Sequence, residues 1–404
     1  LSKRLSETVS ETWEELPDAA RQGLLKWLDR LPGGLKGWRG LVDQAAEHVM
    51  LAAGDKHVVA IIGPANAGKS TLYNQLIRPG EVRANVSAVP GTTRVASSAD
   101  AGVFQIVDTP GADAVGPVGD DERRKAMQAG SQADIIVLLL DAAHGVRDTE
   151  RQLLQDVQSF DRPVLLALNK MDLISTGEAP AVVGKAAGDL GVSSDEIYPL
   201  SAKKGTGIEK LLAGMVRMEP AIVAALGAAL PAYRWSLSQT VIARSASAAA
   251  AIAVTPLPFV DFIPLLGVQT AMVISIARIY TYKITLARAR ELVATFGAAV
   301  LGRTLFYELS KLGGPPGWLV AAGVAVGTTA ALGYASATWF ERGARLSPDA
   351  IGKIARATGE SVIDRLKDLG SRRPRRVTLK ERVDQALKDL PQPESQDDNA
   401  PSGG

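Results

Sequence analysis

Gly63-Pro-Ala-Asn-Ala-Gly-Lys-Ser-Thr71 is the stretch that decides how this chain folds. Gly63, Gly68, Lys69 and Ser70 stand at the spacing G-x-x-x-x-G-K-[ST]. In such a loop backbone N–H groups cradle phosphates, the lysine neutralises them and the hydroxyl ligates a divalent cation. The flanking sequence supplies the required context. His57-Val-Val-Ala-Ile-Ile62 is a short apolar run with β-branched residues, as expected of a buried parallel strand. Lys69 to Ile77 has the apolar spacing of a helix, whose N-terminus adds positive potential. Lys69 is therefore assigned to the β- and γ-phosphates and Ser70 to Mg²⁺, with Gly63, Asn66, Ala67, Gly68 and Thr71 lining the cradle.

Three further motifs follow in order: Asp108-Thr-Pro-Gly, Asn169-Lys-Met-Asp and Ser201-Ala-Lys. Asp108 closes a second strand, Gly102 to Asp108. A carboxylate there can hold a water of the Mg²⁺ shell, and the Gly111 N–H can reach a γ-phosphate. Between loop and strand lies Pro90-Gly-Thr-Thr-Arg94, a polar stretch suited to a mobile segment that lends a hydroxyl to the metal. Thr93 is preferred over Thr92, and the sequence does not separate them. Ile135 to Leu140 and Pro163 to Leu168 read as two more buried strands, and Ile197 to Leu200 as the last. The carboxylate of Asp172 can accept hydrogen bonds from N1–H and the 2-amino group of guanine. Adenine offers no such donor pair, and a buried unpaired carboxylate is costly, so this residue selects the base. Asn169 is expected to brace neighbouring loops, Lys170 to lay its stem over the base, and the Ala202 N–H, between Ser201 and Lys203, to meet the guanine oxygen. Alternating strands and helices with ligand residues at strand ends predict a doubly wound α/β domain that binds GTP or GDP.

On these motifs residues 57–217, about two-fifths of the chain, resemble the bacterial Era/TrmE-like branch of small GTPases. The resemblance implies a five- or six-stranded sheet, Mg²⁺-dependent GTP hydrolysis, and switch segments near 85–98 and 109–125. Ala112 follows Asp-Thr-Pro-Gly where Ras-like proteins carry the glutamine that orients water, and Asp113 does not replace it. Asn66 matches the asparagine with which potassium-stimulated members hold K⁺. That suggests slow turnover, accelerated by K⁺ and by nucleotide-dependent pairing of two domains, with Lys69, Thr93, Gly111 and Asn66 as the catalytic set. A loop-capping role for Asn66 is the alternative.

The rest of the chain is of another character. From Ser245 to Ala277 the one charged side chain is Asp261, among Pro256, Pro258 and Pro264. Helix, proline-rich turn, helix is the reading, with Asp261 at the tip. The arms approach the length that a ~30 Å hydrocarbon layer requires. A second uncharged stretch runs from Leu312 to Phe340, and its Gly323-x-x-x-Gly327 permits close helix contact. Residues 284–311 between them form an amphipathic helix. The run at 255–264, followed by Gln269 and Ile279-Tyr280, resembles a bacterial domain family of unknown function found in multi-pass membrane proteins and attached to GTPases. That implies membrane lipid as a partner but supplies no activity. The positive-inside tendency would return 278–311 to the cytoplasm, but a single span at 312–340 would leave Arg372-Arg-Pro-Arg-Arg376 outside. The later segment is then re-entrant or interfacial, unless 284–311 also enters the bilayer. A soluble all-helical bundle is the competing reading.

The predicted organisation is a helical N-terminal segment over 1–52, a GTPase domain over 53–220, a membrane-associated all-α helical-hairpin domain over 221–345, C-terminal helices over 346–390 and a disordered tail over 391–404. Ser347-Pro-Asp opens one of the late helices, with serine as cap, and Thr378-Leu-Lys-Glu381 reads as a capping box opening another. The stripe of Trp13, Leu16, Leu24, Trp27 and Leu31 either packs on the same chain or serves as an amphipathic arm. The 404 residues contain no cysteine, which excludes disulfides and thiolate-ligated metals. With 45 Lys and Arg against 43 Asp and Glu there is no global nucleic-acid signature. Two function classes remain: a GTPase switch at the bacterial inner membrane with its nucleotide domain on the cytoplasmic side, or a soluble cytoplasmic GTPase of ribosome assembly or RNA processing. An apolar hairpin, where an RNA factor would carry a basic module, favours the first. A scaffold that binds GTP without hydrolysing it is a third possibility.

Overall fold

Four runs of Val, Ile and Leu with almost no polar residues cannot face water on either side, and the chain buries them in a parallel sheet. In a computed structural model, residues 57–77, 103–108, 128–254, 262–282, 317–343, 346–367 and 376–388 are described, together with 284, 289 and 293. The strands are β1 (Val59–Gly63), β2 (Phe104–Asp108), β3 (Ile135–Asp141), β4 (Val164–Asn169) and β5 (Ile197–Pro199). Their order is β2-β1-β3-β4-β5, and every pairing is parallel. β1 and β3 are fully buried along their length. The order reverses at β1, so the crevice beyond its carboxyl end is the place where such sheets bind ligands.

Helices α1 (Lys69–Ile77), α2 (Asp148–Gln158), α3 (Ala179–Leu190) and α4 (Ile208–Met218) connect or flank the strands. One face of the sheet is closed by Leu153, Leu154 and Val157 of α2 and Ala186 and Ala187 of α3, packed on Ile62, Ile136, Leu138 and Leu166. After α4 the chain continues through α5 (Val223–Ala229). Gly227 there leaves no room for a side chain, because a Cβ would lie 2.5 Å from the Ile279 backbone.

By packing, the chain divides into two units. One takes Ala53–Thr240 with Arg278–Tyr282; the other takes Val241–Ala277 and the chain from Lys283 onward. The second unit is helical. Helix α6 (Arg234–Val254) and helix α7 (Phe262–Ile279) are the two arms of the expected hairpin, and Ile252 packs on Val268 between them. Its tip at Asp261 and nearly all of 284–311 lie outside the described residues, as do 1–52 and 391–404. Helix α8 (Gly317–Arg342) holds the second uncharged stretch. Gly333 of α8 receives Ile242 and Met272, whose side-chain atoms would come within 2.5 and 3.0 Å of a Cβ.

α8 is covered by its own chain. Helix α9 (Pro348–Leu366) starts at the Ser347 cap, whose Oγ accepts from the Ala350 N–H at 3.2 Å. It lies close enough to α8 that a Cβ on Gly323 would be 3.1 Å from the Gly359 carbonyl oxygen and from the Ile363 side chain. The close approach predicted for Gly323 is thus made to a polar-faced helix rather than to another uncharged one. Helix α10 (Arg376–Lys388) begins two residues before Thr378, so Thr378 lies inside the helix and does not cap it. Burial of Leu379, Val383 and Ala386 on one face, rather than a capping box, sets its extent.

Candidate nucleotide-binding site

Four strand ends build the site. Gly63 ends β1, and the loop to α1 follows it; Asp108, the last residue of β2, pairs in register with Gly63. Asp141 and Asn169, the last residues of β3 and β4, pair with each other. Polar residues therefore converge at one edge of an otherwise apolar sheet.

The phosphate loop is shaped by its own side chains. Lys69 is 4% exposed, and its Nζ donates to the Gly63 and Pro64 carbonyl oxygens at 2.7 Å each. Asn66 is exposed with φ 63°, a left-handed conformation that asparagine tolerates better than most residues. Gly68, at φ 96°, is required twice over, since a Cβ would also collide with the Asn169 amide. Asn169 joins the loops: its Nδ2 donates to the Ala67 carbonyl oxygen at 2.7 Å, and its Oδ1 accepts the Ala202 N–H at 2.9 Å. In this structure the Ala202 N–H is directed at the Asn169 amide oxygen. A side-chain amide carries a donor and an acceptor on one rigid group, so it can donate to one loop and accept from another at the same point.

The segment after Asn169 carries the expected base-reading carboxylate. Asp172 Oδ1 accepts the Ser201 hydroxyl at 2.6 Å, and Ser201 Oγ accepts the Lys204 N–H at 3.1 Å. The Ser201 hydroxyl holds the Asp172 carboxyl below its usual range, outweighing a small desolvation effect, with Lys204 and Lys203 adding to it. Asp172 is thus ionised and oriented, as an acceptor for a guanine edge must be. The turn that delivers Ser201 is closed by paired backbone bonds between Ser201 and Thr206.

Lys170, expected over the base, has φ 64° and donates through Nζ to Asp141 Oδ2 at 2.7 Å. Asp141 was not legible as a site residue. The available signal was that β2, β3 and β4 all end an apolar run on a polar residue. Burial raises the Asp141 carboxyl, but hydrogen bonds from Lys170, His144 and the Ala143 N–H overcome it and hold the group below its usual range. Thr93 and Gly111 lie outside the described residues, with both switch segments, and so do the side chains of β2 beyond Phe104.

The residues present suit a nucleotide with a divalent cation. Among the described residues no group of three or more His, Asp or Glu could hold a metal by itself.

Comparison with known proteins agrees with this geometry. Residues 58–170 match the family described as 50S ribosome-binding GTPase, and residues 233–362 match the Domain of unknown function (DUF697). GTPase Der of Caldicellulosiruptor saccharolyticus is 37% identical over 170 residues, covering 40% of this chain and 36% of that protein. The chain thus spans about a third of the length of the curated relatives it matches. Among solved structures, Aquifex aeolicus Era bound to GDP·AlF4⁻ is 22% identical, covering 48% of this chain and 67% of that one at a TM-score of 0.33. Era in complex with MgGDPNP and a 16S ribosomal RNA fragment is 24% identical, covering 47% and 66% at a TM-score of 0.32. With scores this low, the assignment rests on the family match, the Der relatives and the sheet order. The chain carries a GTP-binding GTPase domain homologous to part of GTPase Der, followed by a region that matches the Domain of unknown function (DUF697).

Proposed function

We propose that this protein hydrolyses GTP to GDP and phosphate as a slow Mg²⁺-dependent switch, coupled to an apolar helical domain that associates with the inner membrane from the cytoplasmic side. The nucleotide half is supported by one convergence. The loop around Lys69, the Asn169 brace and the Asp172–Ser201 pair meet at the carboxyl edge of the sheet. Lys69 brings a buried positive charge to the β- and γ-phosphates, and backbone N–H groups from Gly63 to Thr71 surround them. Ser70, Thr93 and Asp108 are the residues we assign to the metal, which when bound neutralises charge developing on the phosphates. Gly111 is assigned to the γ-phosphate, Lys170 and Asp172 to the base, and Ser201, Ala202 and Lys203 to its far edge. Asn66, exposed at the mouth of the loop, is our candidate for holding K⁺. Equal hydrolysis rates in K⁺ and Na⁺ would remove that part. We place the GTPase domain at 53–220, the apolar helical domain at 221–345 and the C-terminal helices at 346–390, the first of which, α9, lies against α8.

The membrane half is supported by helices 231–254 and 317–342, which are long and apolar enough to cross a bilayer. A second reading has its own observation: 89% of the most apolar window of 317–342 is buried inside the fold. A soluble GTPase acting on the ribosome, as the matched family's description suggests, would need that cover. Two measurements test the whole. Titration with GTP and ATP should show preference for GTP, and no preference would remove the nucleotide assignment. Flotation with liposomes of anionic lipid should carry the full chain upward; recovery at the bottom without detergent would favour the ribosomal reading.

A further inference from the structure

Two buried carboxylates of the nucleotide unit, Glu150 and Asp141, have no part in the roles above. Glu150 is consumed locally: its Oε2 accepts the Arg147 N–H and the Thr149 hydroxyl, both at 2.9 Å, at the start of α2. Asp141 is placed otherwise. It ends β3 in register with Asn169, and its Oδ2 lies 2.7 Å from both Lys170 Nζ and His144 Nδ1. Its Oδ1 accepts the Ala143 N–H at 2.9 Å. The side chains of Asp141 and Lys170 are 9% and 27% exposed, so the pair is shielded, while His144 is 61% exposed.

Lys170 is an awkward residue for the position it holds. Its backbone is left-handed, a conformation that a lysine keeps only when its surroundings over-determine it. Its four-carbon side chain also has much rotamer freedom to lose if it is to lie flat on a ligand. The bond to Asp141 addresses both, because it pins the far end of the side chain to a strand terminus. We propose that Asp141 is a positioning residue of the base pocket: by anchoring the Lys170 ammonium it stretches the lysine's stem across the face that the purine ring occupies. Ordering that stem before the nucleotide arrives removes an entropic cost from binding. The inference rests on assigning Asn169 to Asp172 to base recognition, and it adds a residue outside that segment.

The test uses the full chain and a double-mutant cycle. Asp141→Asn keeps the acceptor for the Ala143 N–H but loses the charge. Lys170→Met keeps the stem but loses the ammonium. Each should weaken GDP binding by up to about tenfold, the cost of immobilising one rotamer-rich side chain. The double variant should be no weaker than either single, because both changes cut the same link. For Asp141→Asn the single-turnover rate of bound GTP should stay at the wild-type value. Preference for guanosine over adenosine nucleotides should also persist, since Asp172 is untouched. Unchanged GDP affinity in Lys170→Met overturns the proposal even if Asp141→Asn does not fold. Multiplying losses in the double variant, or a fall in the single-turnover rate of Asp141→Asn, overturns it too. A wild-type protein without guanosine preference would instead remove the underlying reading of 169–172.

Discussion

The two units bury polar groups of different kinds and satisfy them over different distances. In the nucleotide unit the buried groups include Lys69, Asp141, Asn169 and Ser201. Several of their partners are remote in sequence: Asn169 reaches Ala67 across 102 positions, and Asp141 and Asp172 are each joined to partners 29 positions away. In the helical unit they are hydroxyls and one amide. Thr270, Thr328, Ser336, Thr338 and Thr358 each donate to the carbonyl four residues earlier on their own helix. Such bonds are satisfied in any surroundings, whether protein or lipid, and fix nothing about the neighbours. Between helices of that unit, Gln269 donates to the Thr329 hydroxyl at 3.2 Å and the Ser247 hydroxyl donates to Asp384 at 3.1 Å. Long-range charged bonds hold a site together, whereas local hydroxyl bonds let a helix be buried without committing it to a ligand.

The largest effect expected from this contrast is Lys69→Ala. Removing a buried ammonium from a loop built around it should lower GTP affinity by roughly 100-fold or more, because charge-assisted bonds to phosphate are lost together. Isothermal titration would show it, with the helical unit's unfolding transition unchanged. Next comes Asp172→Asn. Guanosine binding should fall by about 100-fold while xanthosine nucleotides, which present an acceptor where guanine has its amino group, should bind better. Parallel loss for both bases would mean that Asp172 supports the loop and does not read the base.

What was legible in the sequence follows the same division. The strands of the nucleotide unit could be read because parallel strands buried on both faces leave unbroken apolar runs, and because the ligand residues fall at their ends. Asn169 and Asp172 belong to a spacing that chemistry dictates. Asp141 belongs to none: its meaning comes from the β3–β4 register, which sets it beside Asn169 and within reach of Lys170. The Asn169 bond to Ala202 was likewise hidden, since a backbone donor leaves no mark in a sequence. In the helical unit α7 and α8 were readable from the scarcity of charge, whereas α6 starts at Arg234, well before the uncharged stretch that opens at Ser245. The cover over α8 was not, because an amphipathic pattern in α9 says that one face is buried without saying against what.

The contact between α8 and α9 gives the third prediction. Gly323→Val places atoms against the Gly359 carbonyl oxygen and the Ile363 side chain, both 3.1 Å from where its Cβ would sit. Overpacking of this kind should cost about 1–3 kcal/mol. It should appear as a lower melting point for the helical unit, with GTP affinity unaltered. If the membrane reading holds, the loosened variant should also float more completely with liposomes, since part of α8 is uncovered.

Acid gives the smallest effect and the sharpest separation of the two units. Asp141 and Asp172 both have carboxyls held below their usual range in the folded protein. A group depressed in this way contributes stability that is fully present above its unfolded-state value and is lost as pH falls through the folded one. The nucleotide unit should therefore lose protection as pH drops below about 4, the ordinary range for aspartate. Most of that loss should come from Asp141, which is shielded, because Asp172 is more open to solvent and its contribution is screened. The described buried polar groups of the helical unit are uncharged, and its half-buried carboxylate, Asp384, meets the Ser247 hydroxyl. Hydrogen exchange followed peptide by peptide, corrected for intrinsic rates, should show β3 and β4 loosening in acid while α8 and α9 do not, and Asp141→Asn should shrink the difference. Equal loosening of both units would mean that the charged network at the strand ends contributes no more to holding its unit together than the hydroxyls do to theirs.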